Sequence, residues 1–260
     1  MKIFFDCEFT GLHQKTTLIS IGFVSEDGKT FYAELNDFDI TQVDDWILEN
    51  VIDNLKFFKP GEEGKAEYYV ATRHSDNSIG ENLYNSYSIE LRCNKNQLKK
   101  ELTKWLSQFK KQILIWSDCL AYDWVLFNDI FGHAFEIPKN VYYIPFDICT
   151  LFKIKGIDPD ISREEFINCK NKDQKHNALF DAIVIKECFQ KLYILPDQDL
   201  IKKLDVKKDD FISEEILDKC EYHHKILPDQ KIIPVDTETN IYKAIMEKLD
   251  QILESLNKNK

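Results

Sequence analysis

A turn signal near the start of the chain limits the folds that this sequence can adopt. Asp27-Gly28 joins two β-rich runs within residues 16–35, TTLISIGFVSEDGKTFYAEL. This dipeptide is typical of the tight turn between two antiparallel strands. A further run with strand character, KIFFDCEF, precedes them at residues 2–9. The sequence therefore predicts a three-stranded antiparallel meander at the beginning of the fold.

Helical and strand patterns alternate after this meander. A helix is predicted where apolar residues recur every three or four positions, and a buried strand where a short apolar run ends in polar residues. Such alternation indicates an α/β domain with a mixed sheet flanked by helices. We expect five strands, namely the meander, 112–117 and 140–148, with helices within 44–58, 94–109, 122–132 and 177–195.

Changes in composition along the chain predict where this domain ends. We expect one domain over residues 1–195, interrupted at 59–90 by an irregular insertion rich in Gly, Asn, Ser and charge. Residues 196–260 are predicted to form a helical C-terminal extension, which packs on the domain or binds a partner helix. The last part of this extension carries an apolar stripe: Ile241, Ile245, Leu249, Ile252, Leu253 and Leu256.

The charge balance restricts how this protein could contact nucleic acid. The formal net charge is −11 at pH 7. Proteins that coat nucleic acid without sequence preference rely on Lys and Arg to neutralise phosphates, so the net charge argues against this class. A nucleic-acid enzyme is still compatible with this charge, because bound divalent metal ions can supply the positive charge.

Cysteine usage and hydropathy indicate the cellular compartment. The seven cysteines are an odd number and include no CxxC pair, so they form neither a disulfide framework nor a zinc motif. No stretch approaches the roughly 18 apolar residues that a membrane-spanning helix needs. We therefore predict reduced thiols, no membrane association and a cytoplasmic location.

Two carboxylates lie in the first predicted strand, within the apolar run FFDCEF. Side chains two positions apart on a strand point to the same face, so Asp6 and Glu8 are expected to be neighbours. Two adjacent carboxylates in an apolar setting repel each other and lose hydration, unless a cation lies between them. Sites rich in oxygen ligands suit Mg²⁺ or Mn²⁺. The alternative is a purely structural pair.

Two further acids occupy helix positions that should face the core. Asp181 is in line with Ile185 and Cys188 of its predicted helix, and Asp123 shares a stripe with Ile130. Each acid alone could be a cap or a satisfied core contact. Burial of an unpaired carboxylate costs free energy, and all four acids are on elements that can converge at one end of a sheet. Together they predict a shared metal site.

Three motifs resemble those of a known enzyme family. They are DCEFTG at 6–11, AYDW at 121–124 and HNALFDA at 176–182, in that order along the chain. They resemble the three exonuclease motifs of the DEDDh family of ribonuclease H-like 3'-to-5' exonucleases. Within that family, the first 193 residues are most similar to the RNase AS family of bacterial exoribonucleases.

The resemblance implies a ribonuclease H-like fold and a metal-dependent phosphodiester hydrolase. Carried over onto this sequence, it implies that Asp6, Glu8, Asp123 and Asp181 bind two Mg²⁺ or Mn²⁺ ions, and that His176 is the general base. An imidazole with a pKa of about 6.5 suits proton abstraction from water. Five residues rotate His176 away from Asp181 on a helix, so we expect His176 on a mobile loop before that helix.

Two other acids have open roles. Asp118 precedes Asp123 in WSDCLAYDW and is an alternative ligand of the second motif. We favour Asp123, because it matches AYD and lies on the apolar stripe. Asp147 in PFDICTLF either orients a nearby element or caps a helix.

The resemblance also implies the substrate and the assembly. We expect single-stranded RNA shortened from its 3' end to nucleoside 5'-monophosphates, with a preference for adenylate, by a homodimer. Phe9 and Leu12 could contact terminal bases. A DNA 3'-to-5' exonuclease of the same fold and a catalytically idle module that binds RNA ends or a protein partner are the alternatives.

Overall fold

A mixed sheet of seven strands forms the centre of the protein. Residues 1–58, 69–74, 87–118, 120–169 and 174–195 are described in this computed structural model. The strands are β1 (Lys2–Phe9), β2 (Leu18–Ser25), β3 (Thr30–Leu35), β4 (Tyr69–His74), β5 (Tyr87–Cys93), β6 (Leu114–Ser117) and β7 (Phe146–Asp147). Their order in the sheet is β4-β5-β3-β2-β1-β6-β7.

Helices cover both faces of this sheet. The α-helices of the described ranges are α1 (Asp45–Asn50), α2 (Lys95–Ser107), α3 (Leu120–Phe131), α4 (Ile148–Ile154), α5 (Arg163–Phe166) and α6 (Ala178–Ile194), with 3-10 turns at Ile40–Gln42 and Ile52–Asn54. Every described residue belongs to one unit, which spans 1–79 and 83–198. None of the helices in the described ranges has the length and apolar character needed to cross a bilayer.

The predicted meander is confirmed. Strand β2 pairs antiparallel with both β1 and β3, and the turn after Ser25 contains Gly28 in the left-handed region at φ 87°. Strand β1 also pairs in parallel with β6, which places Phe4 opposite Trp116. Strand β1 is therefore a central strand, and the first acidic motif lies in the middle of the sheet.

The predicted α/β class with a mixed, ribonuclease H-like sheet is confirmed, but the number of strands differs. Two strands that were not predicted, β4 and β5, lie within or overlap the segment expected to be an irregular insertion, 59–90. Strand β5 pairs in parallel with β3, and its residues Ile89 and Leu91 are buried in the core. Pairing with existing strands stabilises this segment, which its composition alone did not indicate.

The predicted strand at 140–148 is much shorter in the structure. Only Phe146–Asp147 pairs with β6, and Val141 makes an isolated bridge to Ile113. Pro145 lies between these two contacts and has no N–H to donate to a strand ladder. The predicted helical extension, 196–260, lies outside the described residues, and the domain boundary at 195 stays a prediction.

Two hydrophobic cores lie on opposite faces of the sheet. On one face, aromatic side chains of β1, β2 and β3 pack with Trp105 of α2 and Phe127 of α3. On the other face, Phe4 and Val24 pack with Ile185 and Phe189 of α6. The long helix α6 is thereby fixed against the two strands that carry or border the first motif.

The N-terminal end of α6 approaches β2 at a glycine. Gly22 lies opposite Asp6 in the β1–β2 pairing. A Cβ atom at Gly22 would lie 2.3 Å from the backbone nitrogen of Leu179 and 2.4 Å from the carbonyl of Ala178. Only glycine allows this approach, which brings the start of α6 next to the acids of β1.

Candidate active site

Four of the predicted acids converge at one end of the sheet. Asp6 and Glu8 come from β1, Asp123 from the first turn of α3, and Asp181 from the first turn of α6. The charges of Asp123, Asp181 and Glu8 all contribute to the raised pKa of Asp6, so these side chains lie within electrostatic reach of one another. One strand of the sheet and the N-terminal turns of two helices therefore meet at one acidic cluster.

Strand β1 holds the two acids of the first motif at the same face, as the spacing predicted. Asp6 is partly buried and Glu8 is 9% exposed. The pairing of β1 with β2 is irregular between Glu8 and Phe9, which ends the regular ladder directly after the second acid. Irregular pairing of this kind re-aims side chains at the ends of strands.

Asp123 is buried on the inner face of α3, where the apolar stripe predicted it. Its side chain is 3% exposed, and the hydroxyl of Ser117 lies 2.6 Å from Asp123 Oδ2, within hydrogen-bonding distance. Ser117 is the last residue of β6, so the strand end orients the acid of the helix. The negative charge of Asp123 is also compatible with its place in the first helical turn.

His176 lies outside α6, two residues before the helix begins. Asn177 caps α6 by accepting a hydrogen bond from the backbone N–H of Phe180 at 3.2 Å. His176 itself has a φ of 64°, in the left-handed region that few residues other than glycine adopt. This backbone conformation turns the chain sharply between His176 and the helix that carries Asp181.

Glu8 and Asp181, two of the predicted cation ligands, lie next to the predicted base, His176. One side-chain ligand atom from each residue lies within 4.8 Å of the others. The ring of His176 also contacts Trp46 of α1, edge to face, with 5.2 Å between ring centroids. Trp46 is 55% exposed, so it lies at the solvent-facing edge of the site.

Burial and mutual repulsion disturb the titration of the whole cluster. Burial, followed by the charges of neighbouring acids, raises the pKa of Asp6 well above its usual range. The pKa of Glu8 rises to about 8 for the same reasons. Burial, partly offset by hydrogen bonds, raises the pKa of Asp123 to about 8 and that of Asp181 to about 7. Without a cation, these carboxyl groups would hold protons near neutral pH.

The environment of His176 favours its neutral form. Partial burial and the positive charge of Lys175 lower the pKa of the imidazole, while Glu164 opposes this shift. A neutral imidazole can accept a proton, which a general base must do. The pKa of His176 is therefore lowered, whereas the pKa values of the carboxyl groups beside it are raised.

The two acids with open roles have other contacts. Both N–H groups of the Arg163 fork point to Asp118, with Nε at 2.6 Å from Oδ2 and Nη2 at 3.0 Å from Oδ1. Asp147 caps α4, because its carboxylate accepts backbone hydrogen bonds from Cys149 and Thr150. The helix-cap alternative for Asp147 is therefore the one that the geometry supports.

The predicted base-contacting residues lie beside the cluster. Phe9 ends β1 and stacks on Tyr122, with 5.4 Å between ring centroids. Tyr122 directly precedes Asp123 in the chain. Leu12 is 76% exposed, and several other large apolar side chains of the described residues are exposed to a lesser or greater degree. No described contact assigns either residue to a substrate.

Sequence reasoning missed three residues that shape this site. Ser117 and Trp46 are both detectable in principle, since Ser117 follows an apolar strand and Trp46 is a large aromatic residue in an amphipathic helix. Arg163 carries no such signal, because it begins a four-residue helix without periodicity. Its contact with Asp118 joins residues 45 positions apart.

The comparisons with known proteins agree with the family that the motifs predicted. A family model described as the 3'-5' exoribonuclease Rv2179c-like domain matches residues 1–193. Two similar proteins are the 3'-5' exoribonucleases MT2234.1 and Rv2179c of Mycobacterium tuberculosis, from strains CDC 1551 / Oshkosh and ATCC 25618 / H37Rv. Each is 38% identical to this chain over 55 residues, which are 21% of this chain.

The two kinds of match differ in extent. The alignment to the mycobacterial proteins spans only 33% of their length, whereas the family model covers the meander, all three acidic motifs and α6. All four acids of the cluster lie within the matched residues. The chain belongs to the family of Rv2179c-like 3'-5' exoribonuclease domains.

Proposed function

We propose that this protein is a 3'-5' exoribonuclease, which releases nucleoside 5'-monophosphates from the 3' ends of single-stranded RNA. The observation that carries the proposal is the convergence of four carboxylates with a histidine whose pKa is lowered. Family membership and the names of the mycobacterial relatives support RNA as the substrate. The divalent metal ions in this proposal are Mg²⁺ or Mn²⁺, two in each site.

The chemistry of the four acids fits divalent ions. Asp6, Glu8, Asp123 and Asp181 would hold the ions, since hard cations prefer oxygen ligands. Burial, together with the repulsion between neighbouring acids, raises the pKa of all four acids, so added positive charge would favour their ionised forms. When bound, two divalent ions supply that charge and stabilise the charge that develops during in-line displacement at phosphorus.

The chain's own residues would prepare water for the attack. His176 takes a proton from a water molecule as the water oxygen attacks the terminal phosphodiester. The bond between phosphorus and the 3'-oxygen of the preceding nucleotide then breaks, and this oxygen takes up a proton from solvent. The products are a nucleoside 5'-monophosphate and an RNA with a new 3'-hydroxyl. A neutral imidazole suits this role, because its lowered pKa leaves it ready to accept the proton at pH 7.

Aromatic and apolar side chains beside the acids would hold the terminal nucleotide. We propose that Phe9, supported by Tyr122, and the exposed Leu12 contact the terminal bases. Base stacking on aromatic rings tolerates all four bases, so the adenylate preference is a separate proposal that needs its own test. A comparison of the rates on oligo(A), oligo(U) and oligo(C) of equal length tests it.

A degradation time course tests the proposed reaction. We would incubate 5'-labelled single-stranded RNA, or DNA of the same sequence, with the protein and Mg²⁺ or Mn²⁺. Asp181→Asn is the site variant, and Asp160→Asn is the matched control because Asp160 is exposed and outside the cluster. The proposal predicts a metal-dependent ladder that shortens from the 3' end, is faster on RNA and is absent in Asp181→Asn.

Other outcomes would favour the alternatives. A faster ladder on DNA would identify a DNA exonuclease of the same fold. A folded protein that binds RNA but produces no ladder with either metal would be a binding module. The homodimer and the cytoplasmic location remain predictions, and a monomeric mass by light scattering would contradict the first.

A further inference from the structure

A fifth carboxylate lies next to the acidic cluster. Asp118 follows the last residue of β6, and its side chain is only 18% exposed. Ser117, the residue before it, places its hydroxyl 2.6 Å from Asp123 Oδ2, and the charge of Asp118 adds to the burial and repulsion that raise the pKa of Asp6, Asp123 and Asp181. A fifth ionised acid would offer a cation an additional ligand besides the four acids of the cluster. The charge of Asp118 therefore affects where a cation binds.

Arg163 neutralises this carboxylate through two parallel contacts. Its Nε lies 2.6 Å from Asp118 Oδ2, and its Nη2 lies 3.0 Å from Asp118 Oδ1. The side chain of Arg163 is 15% exposed, so solvent screens this ion pair less than a surface pair. A two-pronged arginine-carboxylate pair also fixes the orientation of both groups.

Further contacts hold the guanidinium group in place. Its remaining terminal nitrogen, Nη1, donates to the backbone carbonyl of Ile161. The group lies over the ring of Phe152, with its central carbon 4.8 Å from the ring centroid, and Nη2 is 3.0 Å from Cys149 Sγ. With all of these contacts, the guanidinium group can hold the carboxylate of Asp118 in one orientation. It is not free to move toward a substrate phosphate.

The short helix that carries Arg163 also reaches the loop of the histidine. Glu164 is the next residue of α5, and its Oε1 lies 3.5 Å from the Nζ of Lys175. Lys175 directly precedes His176. Helix α5 therefore contacts the site at two points, with Arg163 at the end of β6 and Glu164 at the loop before α6.

We propose that Arg163 is a positioning residue of the nuclease site, which holds Asp118 as a fixed, neutral ion pair so that only the other four acids bind cations. This inference rests on the proposed function of those four acids. Arg163 acts through Asp118 and does not touch the RNA. Removal of Arg163 exposes one more negative charge to the site, and removal of the Asp118 charge exposes one more positive charge.

The two single substitutions should therefore shift cation affinity in opposite directions. We would measure Mn²⁺ binding to the metal-free full-length protein by isothermal titration calorimetry. Arg163→Gln should bind Mn²⁺ about three to ten times more tightly than the wild type, and Asp118→Asn about three to ten times more weakly. The double variant, in which both groups are neutral, should be within about twofold of the wild type.

Kinetics on a short RNA provide the second measurement. Arg163→Gln should lose about tenfold in kcat with little change in KM, because an extra carboxylate disturbs the ions and not the binding of RNA. The double variant should recover most of this loss. Lys153→Gln is the matched control for the loss of one positive charge, because Lys153 is exposed and outside the site.

Clear results would overturn the inference. An Arg163→Gln variant with raised KM and unchanged kcat, not rescued by Asp118→Asn, would show that Arg163 contacts the RNA. Equal Mn²⁺ affinity in the wild type and both single variants would also contradict it. If Arg163→Gln does not fold, Arg163→Lys and Asp118→Asn decide. Lysine keeps the positive charge but loses the two-pronged contact, so the Mn²⁺ affinity of Arg163→Lys should stay within about twofold of the wild type, whereas Asp118→Asn should bind Mn²⁺ more weakly.

The wild type separates this inference from the proposed function. A wild-type protein that neither binds Mn²⁺ nor degrades RNA would contradict the proposed function, and the inference would fall with it. A wild-type protein that does both, with single variants that fail to shift in opposite directions, would contradict only the role of Arg163.

Discussion

The backbone N–H of His176 donates a hydrogen bond to Asp181 Oδ2 at 2.9 Å. The two residues are five positions apart and lie on either side of the N-terminal end of α6. One short contact thus links the proposed base to a proposed metal ligand. A shift of the loop before α6 would move both groups together.

Replacement of the proposed base should reduce turnover without removing the cation site. We expect His176→Ala to lower kcat by about 100- to 10,000-fold, since that is the usual contribution of a general base. Mn²⁺ affinity by calorimetry should change little, because the four acids remain. The control is His133→Ala, since His133 is 61% exposed and lies outside the cluster. Equal activity of His176→Ala and the wild type would exclude the role.

Neutralisation of one acid should stabilise the metal-free protein. Glu8 is buried and its pKa is raised to about 8, so its ionised form opposes folding. We expect Glu8→Gln to stabilise the metal-free protein by roughly 1–3 kcal/mol at pH 8 and to abolish RNA degradation. Chemical denaturation in EDTA measures the first effect. Glu136→Gln, at a residue with a 64% exposed side chain, is the control that should change neither property.

The stability of the metal-free protein should fall as pH rises. A carboxyl group whose pKa is higher in the folded than in the unfolded protein stabilises the fold below its ordinary pKa, and this contribution is lost as pH rises through the folded value. The pKa values of Glu8 and Asp123 are raised to about 8, and that of Asp181 to about 7. Stability should therefore decline between about pH 4 and about pH 8.

Divalent ions should remove most of this decline. Bound cations favour the ionised carboxylates, so Tm in Mn²⁺ should depend on pH much less than Tm in EDTA over the same range. Thermal denaturation at several pH values, with and without Mn²⁺, checks both expectations. Parallel curves with the two additives would contradict the proposed cation site.

A methyl group at Gly22 should displace the start of α6. Its Cβ would lie 2.3 Å from the backbone nitrogen of Leu179, which cannot move without the helix. We expect Gly22→Ala to destabilise the protein by about 1–3 kcal/mol and to reduce activity per folded molecule. Gly28→Ala is the control: it strains the turn at φ 87° but meets no atom within 4 Å. Its activity per folded molecule should equal that of the wild type.

Local patterns were sufficient to predict the meander and the faces on which the acids lie. Asp6, Glu8 and Asp123 occupy positions whose burial follows from strand or helix periodicity. Strand β5 was not predicted, although SIELRC at 88–93 alternates polar and apolar residues, because the preceding segment is rich in Gly, Asn, Ser and charge. Its stability depends on pairing with β3, which local composition does not report.

The contacts around the acids were less predictable than the acids themselves. The pair of Asp118 and Arg163 joins the end of a strand to a four-residue helix, and neither element has a periodic pattern at that point. The hydroxyl of Ser117 and the ring of Trp46 likewise approach their partners through tertiary packing. Sequence patterns predict which groups carry the chemistry, whereas the fold determines what surrounds them.

The left-handed backbone of His176 narrows the substitutions that evolution can test at this position. A residue at φ 64° must tolerate a conformation that costs most side chains roughly 1–2 kcal/mol. Glycine, asparagine and aspartate accept it best but carry no imidazole, and longer side chains able to accept a proton meet the backbone cost. A single substitution of His176 is therefore expected to lower stability, proton-accepting ability or both, so few replacements at this position would keep the enzyme functional.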